Sequence, residues 1–154
     1  MARQGLLIHQ SMIDCAEIIK ATSTMNDDHV SPNPKGELLL RVVPMVADAN
    51  PSGDISGGWL VTQMDTAAAL IATRVAKGRV TTMAIGELSF VRPVRVGSVV
   101  CCYGSLIRTG RSSLRVAVEV WCRSPEENDR QKVTEAEFTF VAIDQHRRVR
   151  PLPT

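Results

Sequence analysis

One long helix held against a curled antiparallel sheet, an α+β domain, is the architecture this sequence predicts. Residues 58–77 form an apolar run long enough for a buried helix, bounded by glycines at both ends. Four strand-like runs follow it with no further helix between them, so helix and strands are segregated along the chain. Each of those runs is about ten residues long, and strands of that length twist, so the sheet has to curl to stay compact.

Taken in order, residues 1–35 read as an N-terminal appendage. Leu6, Ile8, Met12, Ile13, Ala16, Ile18 and Ile19 give an imperfect amphipathic helix over 5–21, and 22–35 is a linker with two Ser/Asn-Pro steps. The domain proper is expected over 36–145. It opens with a strand at 37–43 stopped by Pro44, followed by a polar loop at 45–56. Asp54 or Ser56 is the expected N-cap of the helix, and Gly78 its stop. The remaining strands are expected at 80–91, 98–108, 112–122 and 132–143. The clearest alternates Leu114, Val116, Val118, Val120 and Cys122 on one face with Ser113, Arg115, Glu119 and Trp121 on the other. Thr109-Gly110-Arg111 is a tight turn and 124–131 a charged hairpin loop. Residues 146–154, with His146-Arg147-Arg148-Val149-Arg150, read as a solvated basic tail; the functional alternative is contact with a polyanionic ligand.

Composition narrows the function. The 154 residues suit one domain, and 44% hydrophobic content suffices for a core. Aromatics are only 4%, so Val, Leu, Ile, Met and Ala must fill it. A formal charge of +2, spread along the chain, favours neither nucleic acid nor a membrane surface as partner. No stretch reads as a secretory signal or a membrane span, so a cytoplasmic protein is expected. Cys15, Cys101, Cys102 and Cys122 show no metal-ligand spacing and read as small core residues in a reducing compartment. His9, His29 and His146 lie in the appendage or the tail, which disfavours a Ser-His-Asp triad. Gly57-Gly58 lacks the strand and spacing of a dinucleotide loop.

The helix carries the site hypothesis. Leu60, Met64, Ala67, Ile71 and Val75 form a bulky stripe expected to face the sheet. Gly58, Thr62, Asp65, Ala69 and Ala72 form a face of small residues around one acid, expected at a dimer interface or else in a tight helix–sheet contact. An acid inside an apolar helix needs a partner or a task, and Arg74 is one candidate partner. The glycines at the entrance leave backbone N–H groups open to a partial negative charge. Asp54 is the second carboxylate at that entrance, a candidate for the site if it is not simply a cap.

The run from Asp48 through Gly53-Asp54-Ile55-Ser56-Gly57-Gly58-Trp59, with Gln63-Met64-Asp65, resembles the YciA-type acyl-CoA thioesterases. So do Gly78-Arg79-Val80, Ser89-Phe90-Val91-Arg92-Pro93-Val94, Val96-Gly97-Ser98-Val99-Val100-Cys101-Cys102-Tyr103-Gly104 and Gly110-Arg111-Ser112-Ser113. The resemblance implies the hot-dog fold, which is the arrangement expected from the elements. It also implies hydrolysis of acyl-CoA thioesters, with no metal and no cofactor beyond the CoA of the substrate itself. Asp65 then falls on the catalytic carboxylate, and Gly57 and Gly58 on the donors to the thioester carbonyl. Arg111, Ser112 and Ser113 fall on the turn near the CoA phosphates. The implied assembly is a homo-oligomer, a dimer at least and a trimer of dimers by the family pattern, with donors and carboxylate from facing subunits. Ser56 departs from the bulky Phe or His frequent there, which widens or re-aims the acyl pocket.

Overall fold

The chain is described here by a computed structural model covering residues 33–154. The helix expected over 5–21 and most of the linker lie outside the described residues. Strand β1 spans Glu37–Val42, and a short 3-10 turn at Val46–Asp48 follows. The single α-helix of the described residues, α1, spans Gly57–Ala76. After it come β2 (Val80–Ile85), β3 (Val99–Thr109), β4 (Ser113–Arg123) and β5 (Gln131–Ala142). All neighbours pair antiparallel, in the order β1-β3-β4-β5-β2. The ladders slip between Leu38 and Leu40, Thr82 and Ala84, and Leu106 and Arg108. Such bulges bend a strand and add twist, which helps the sheet curl around α1.

The core lies between the sheet and α1. Leu60, Met64, Ala67 and Ile71 face inward as expected, and Val75 packs partly against them. Val116, Val118 and Val120 meet them from β4, and Phe138 and Phe140 from β5. Each large side chain enclosed in this way contributes about 1.5–3 kcal/mol. Cys102 and Cys122 belong to this core, whereas Cys101 joins Tyr103 and Trp121 in a smaller cluster on the other face. Glu119 is buried beside that cluster, where it accepts from Trp121 Nε1 at 2.8 Å, Lys35 N at 3.1 Å and Lys132 Nζ at 3.3 Å.

The structure corrects three expectations. The strand expected over 80–91 ends at Ile85. From Gly86 the chain leaves the regular ladder and is held beside β5 by Gly86 N to Glu137 O and Val91 N to Val133 O. That detour carries Phe90 to the helix entrance. Ala72 is fully buried and belongs to the core, as do Ala68 and Ala76. The open small face is therefore confined to the first thirteen residues of α1, at Gly58, Thr62, Asp65 and Ala69.

The third correction concerns the residues after 145, which are mostly exposed as expected but are fastened to the domain and do not run free as a tail. Ile143 bridges to Val149, Arg150 N donates to Ala142 O at 3.0 Å, and Leu152 N donates to Arg111 O at 2.8 Å. The Arg150 guanidinium donates to Ala76 O at 2.9 Å and Ile143 O at 3.1 Å, closing the end of α1. Gly78 makes room for it, since a side chain there would meet Arg150 Nη2 at 2.7 Å.

Candidate active site

The chain reaches α1 through a turn built by one side chain. Asn50 Oδ1 accepts from Ser52 N at 3.0 Å and Asp54 N at 3.1 Å. Asp54 then bridges to Arg95 through its backbone and is not the cap. Ser56 occupies the N-cap position, but its hydroxyl makes no cap bond. Among the described residues, no acceptor meets the N–H of Gly57, Gly58 or Trp59; the first bond at the entrance is Leu60 N to Ser56 O at 3.2 Å. Three free donors at the positive end of a helix form a receptor for partial negative charge. A Cβ on Gly57 would meet the Phe90 ring at 3.1 Å, so glycine there lets Phe90 lie against the entrance.

Asp65 is half-buried on the open face of α1. Its Oδ1 accepts from Thr82 Oγ1 of β2 at 2.7 Å. That single bond, from a residue on the exposed edge strand, fixes the carboxylate and leaves its other oxygen without a partner among the described residues. Arg74, one candidate partner, is engaged elsewhere: it donates to both carboxylate oxygens of Glu37, at 3.1 and 2.6 Å. The bond from Arg74 holds the Glu37 carboxyl below its ordinary range. Phe90 and Arg150 fall within stretches that the sequence pattern marks, but nothing in that pattern discloses their contacts or the role of Thr82, because each acts on a residue distant along the chain.

Asp54, Gly57 and Gly58 are thus neighbours at the entrance, while Asp65 stands about 10 Å further along the axis. Arg111, Ser112 and Ser113 are elsewhere, at the β3–β4 turn, where Gly110 N donates to Ser113 O at 2.7 Å and Ala142 N to Ser112 O at 2.8 Å. One chain therefore does not bring the carboxylate and the free donors to the same atom. Cys102 and Cys122 are poor nucleophiles to take their place: burial, aided by Cys101, pushes the Cys102 thiol up to about 12, and burial also raises Cys122. Among the described residues no cluster of His, Cys, Asp or Glu could hold a metal ion.

A central helix wrapped by a five-stranded antiparallel sheet, with an open helix entrance and an acid on the exposed face, is the arrangement of the hot-dog proteins. The family model described as "Thioesterase superfamily" matches residues 52–128. A Haemophilus influenzae acyl-CoA thioester hydrolase is 48% identical over 122 residues, covering 77% of this chain and 79% of that protein. The acyl-CoA thioester hydrolase YciA of Salmonella typhimurium is 46% identical over 123 residues, covering 78% and 92%. Among solved structures, HI0827, a hexameric broad specificity acyl-coenzyme A thioesterase, matches with a TM-score of 0.76 and 46% identity over 79% of this chain and 84% of that one. A hexameric thioesterase from Yersinia pestis matches with a TM-score of 0.76 and 47% identity, covering 79% and 99%. The chain belongs to the YciA-type acyl-CoA thioester hydrolases of the thioesterase superfamily.

Proposed function

We propose that this protein hydrolyses acyl-CoA to the free acid and CoA, at sites that each need two chains. The observation that carries the reading is the pairing of an uncapped helix entrance with an acid too far along the same helix to act on the same carbonyl. In the reading, the N–H groups of Gly57 and Gly58 from one chain receive the thioester oxygen. They stabilise the oxyanion that develops as the carbonyl becomes tetrahedral. Asp65 of the facing chain either takes a proton from the water that attacks the carbonyl carbon, with the C–S bond then breaking to release CoA, or attacks that carbon itself. Direct attack expels CoA thiolate to form an anhydride, which water then opens to the free acid and the restored carboxylate. Thr82 keeps the carboxylate aimed. Asp54 lines the entrance next to the donors, and Arg111, Ser112 and Ser113 take the phosphates of CoA.

Association is supported by what the single chain leaves open. Strand β2 lies at the sheet edge, and Met83, Ile85, Phe90 and Val91 are exposed along it, with Leu70 exposed on α1. An unpaired apolar edge is a surface for a second copy. Relatives of known structure are hexameric, which suits a trimer of such dimers. The cytoplasm is the compartment we assign, because Cys101, Cys102 and Cys122 are free thiols.

The competing reading is a non-catalytic acyl-CoA-binding or sensor module on the same fold. A thiol-release assay across several acyl-CoAs separates the two. A structure of HI0827 with one aspartate replaced by alanine points to an aspartate as the residue to remove. Asp65→Asn keeps the shape and the bond from Thr82 and removes the base, so kcat is expected to fall about a hundredfold or more with CoA binding kept. Near-normal turnover in a folded Asp65→Asn protein would take Asp65 out of the mechanism.

A further inference from the structure

The face of the sheet turned away from α1 carries a cavity of about 240 Å³. Strand register puts its walls together. Arg41 of β1 pairs with Cys101 of β3, and Cys101 pairs with Trp121 of β4, so the three side chains stand on one side. Two residues along, Val99 pairs with Arg123 and brings a second guanidinium to that side. Tyr103 lies two residues the other way on β3. The β4–β5 loop supplies the remaining wall: Arg130 Nη1 donates to the Tyr103 hydroxyl at 3.1 Å and draws the end of the loop over the sheet.

Floor and rim differ in character. The floor is rigid: Trp121 and Tyr103 are only 3% and 9% exposed. Trp121 Nε1 donates to the buried Glu119 at 2.8 Å, and Lys132 Nζ meets the same carboxylate at 3.3 Å, so that acid is matched outside the cavity. The rim is exposed and basic. Arg41, Arg123 and Arg130 stand on it, and the ion pairs of the described residues include none of the three. Asp129 is the one carboxylate lining the cavity among the described residues, so three guanidinium groups face a single acid. In a chain of net charge +2, three separate elements thus converge their positive charge on one concave, stiff-floored spot, where a bound anion relieves their repulsion.

We propose that this cavity is a binding site for a small polyanion, a compact ligand with two or more phosphate or carboxylate groups. The site is separate from the thioesterase reading and does not rest on it, because it lies across the sheet from α1 and Asp65. The chemistry fits: guanidinium forks take oxyanions in paired hydrogen bonds. The Tyr103 hydroxyl accepts from Arg130 and keeps its own proton to donate. The size fits as well. Sites for drug-sized ligands measure about 300–1,000 Å³, so this smaller cavity suits a compact anion and does not enclose a whole nucleotide. A ligand here bridges β1, β4 and the β4–β5 loop, and it stabilises the folded chain by mass action.

The test is calorimetry at fixed ionic strength with two probes, pyrophosphate and citrate, which needs no turnover. Wild type is expected to bind at least one of them, and the pattern tells phosphate recognition from carboxylate recognition. Binding should weaken about tenfold or more in an Arg41→Gln/Arg123→Gln protein and persist in Arg111→Ala, which leaves this face intact. Arg130→Gln, a change confined to the loop, should weaken binding in the same direction and serves if the double variant does not fold. The bound probe should raise the melting temperature of wild type and not that of the double variant. Failure of wild type to bind either probe, or equal binding in wild type and the Arg41→Gln/Arg123→Gln protein, would overturn the assignment. So would loss of binding in Arg111→Ala alone, which would place the probes at the β3–β4 turn. A raised KM for acyl-CoA in the folded double variant would overturn it too, since the cavity would then belong to the substrate's own path.

Discussion

At its first residues α1 leaves the N–H groups of Gly57, Gly58 and Trp59 without an acceptor among the described residues, whereas its last turn is closed from every side. There Lys77 N donates to Arg74 O, Gly78 N to Thr73 O, and the Arg150 guanidinium to Ala76 O. Both ends carry residues able to finish a helix. Ser56 stands at the N-cap with its hydroxyl unused, and Arg150 is brought back from the far end of the chain to do the capping at the other. The end to which the proposed mechanism assigns the oxyanion is left uncapped at a cost in stability, and the opposite end is sealed.

The sharpest way to break this contrast is to cap the open end. In Ser56→Asp the new carboxylate accepts from the N–H of Gly58 or Trp59 and should add about 1 kcal/mol of stability. The same bond takes a donor from the oxyanion and sets a negative charge beside it, so kcat should fall about a hundredfold. Ser56→Asn caps without the charge and should lose less. A Ser56→Asp protein that melts higher and turns over normally would show that the entrance is not where charge develops.

Sealing at the other end can be undone. Arg150→Ala removes a charged donor from a carbonyl in the last turn and should cost about 1–3 kcal/mol in thermal or denaturant unfolding. Measured well below the melting transition, kcat should stay within about twofold of the parent, since the strap holds the helix end and not the reacting groups. A collapse of kcat at full folding would mean that the two ends are coupled through α1.

The difference between the ends also marks what the sequence could and could not disclose. The α1 stripe of Leu60, Met64, Ala67 and Ile71 and the alternation of β4 are repeats with a period, and both were legible. So was the glycine-rich entrance, because glycine and proline act locally. The truncation of β2 at Ile85 was not legible. It goes with the placement of Phe90 against Gly57, a contact between residues far apart in the chain. Thr82 meets Asp65, and Arg150 meets Ala76, across the fold rather than along it. Residues 146–154 look like a tail by composition and become a strap only through hydrogen bonds to partners distant in sequence. Ala72 shared a face with Asp65 on a helical wheel, yet it is buried because the enclosure of α1 deepens toward its C-terminus.

The smallest expected effect isolates strain without function. Lys77 and Arg147 are the two non-glycine residues of the described chain with positive φ, at +49° and +63°. Lys77 sits at the sealed end, where the left-handed conformation serves only to stop α1. Replacing it by glycine relieves the clash of Cβ with the backbone but adds freedom to the unfolded chain, so the net gain should be at most about 1 kcal/mol. KM and kcat should not change. Arg147 occupies a similar conformation in the 144–148 turn, and Arg147→Gly should also leave the fold as stable or more so. Melting curves of the two variants, measured side by side with kcat and KM, check both expectations. A Lys77→Gly protein with altered kcat at full folding would mean that the sealed end is coupled through α1 to the reacting groups.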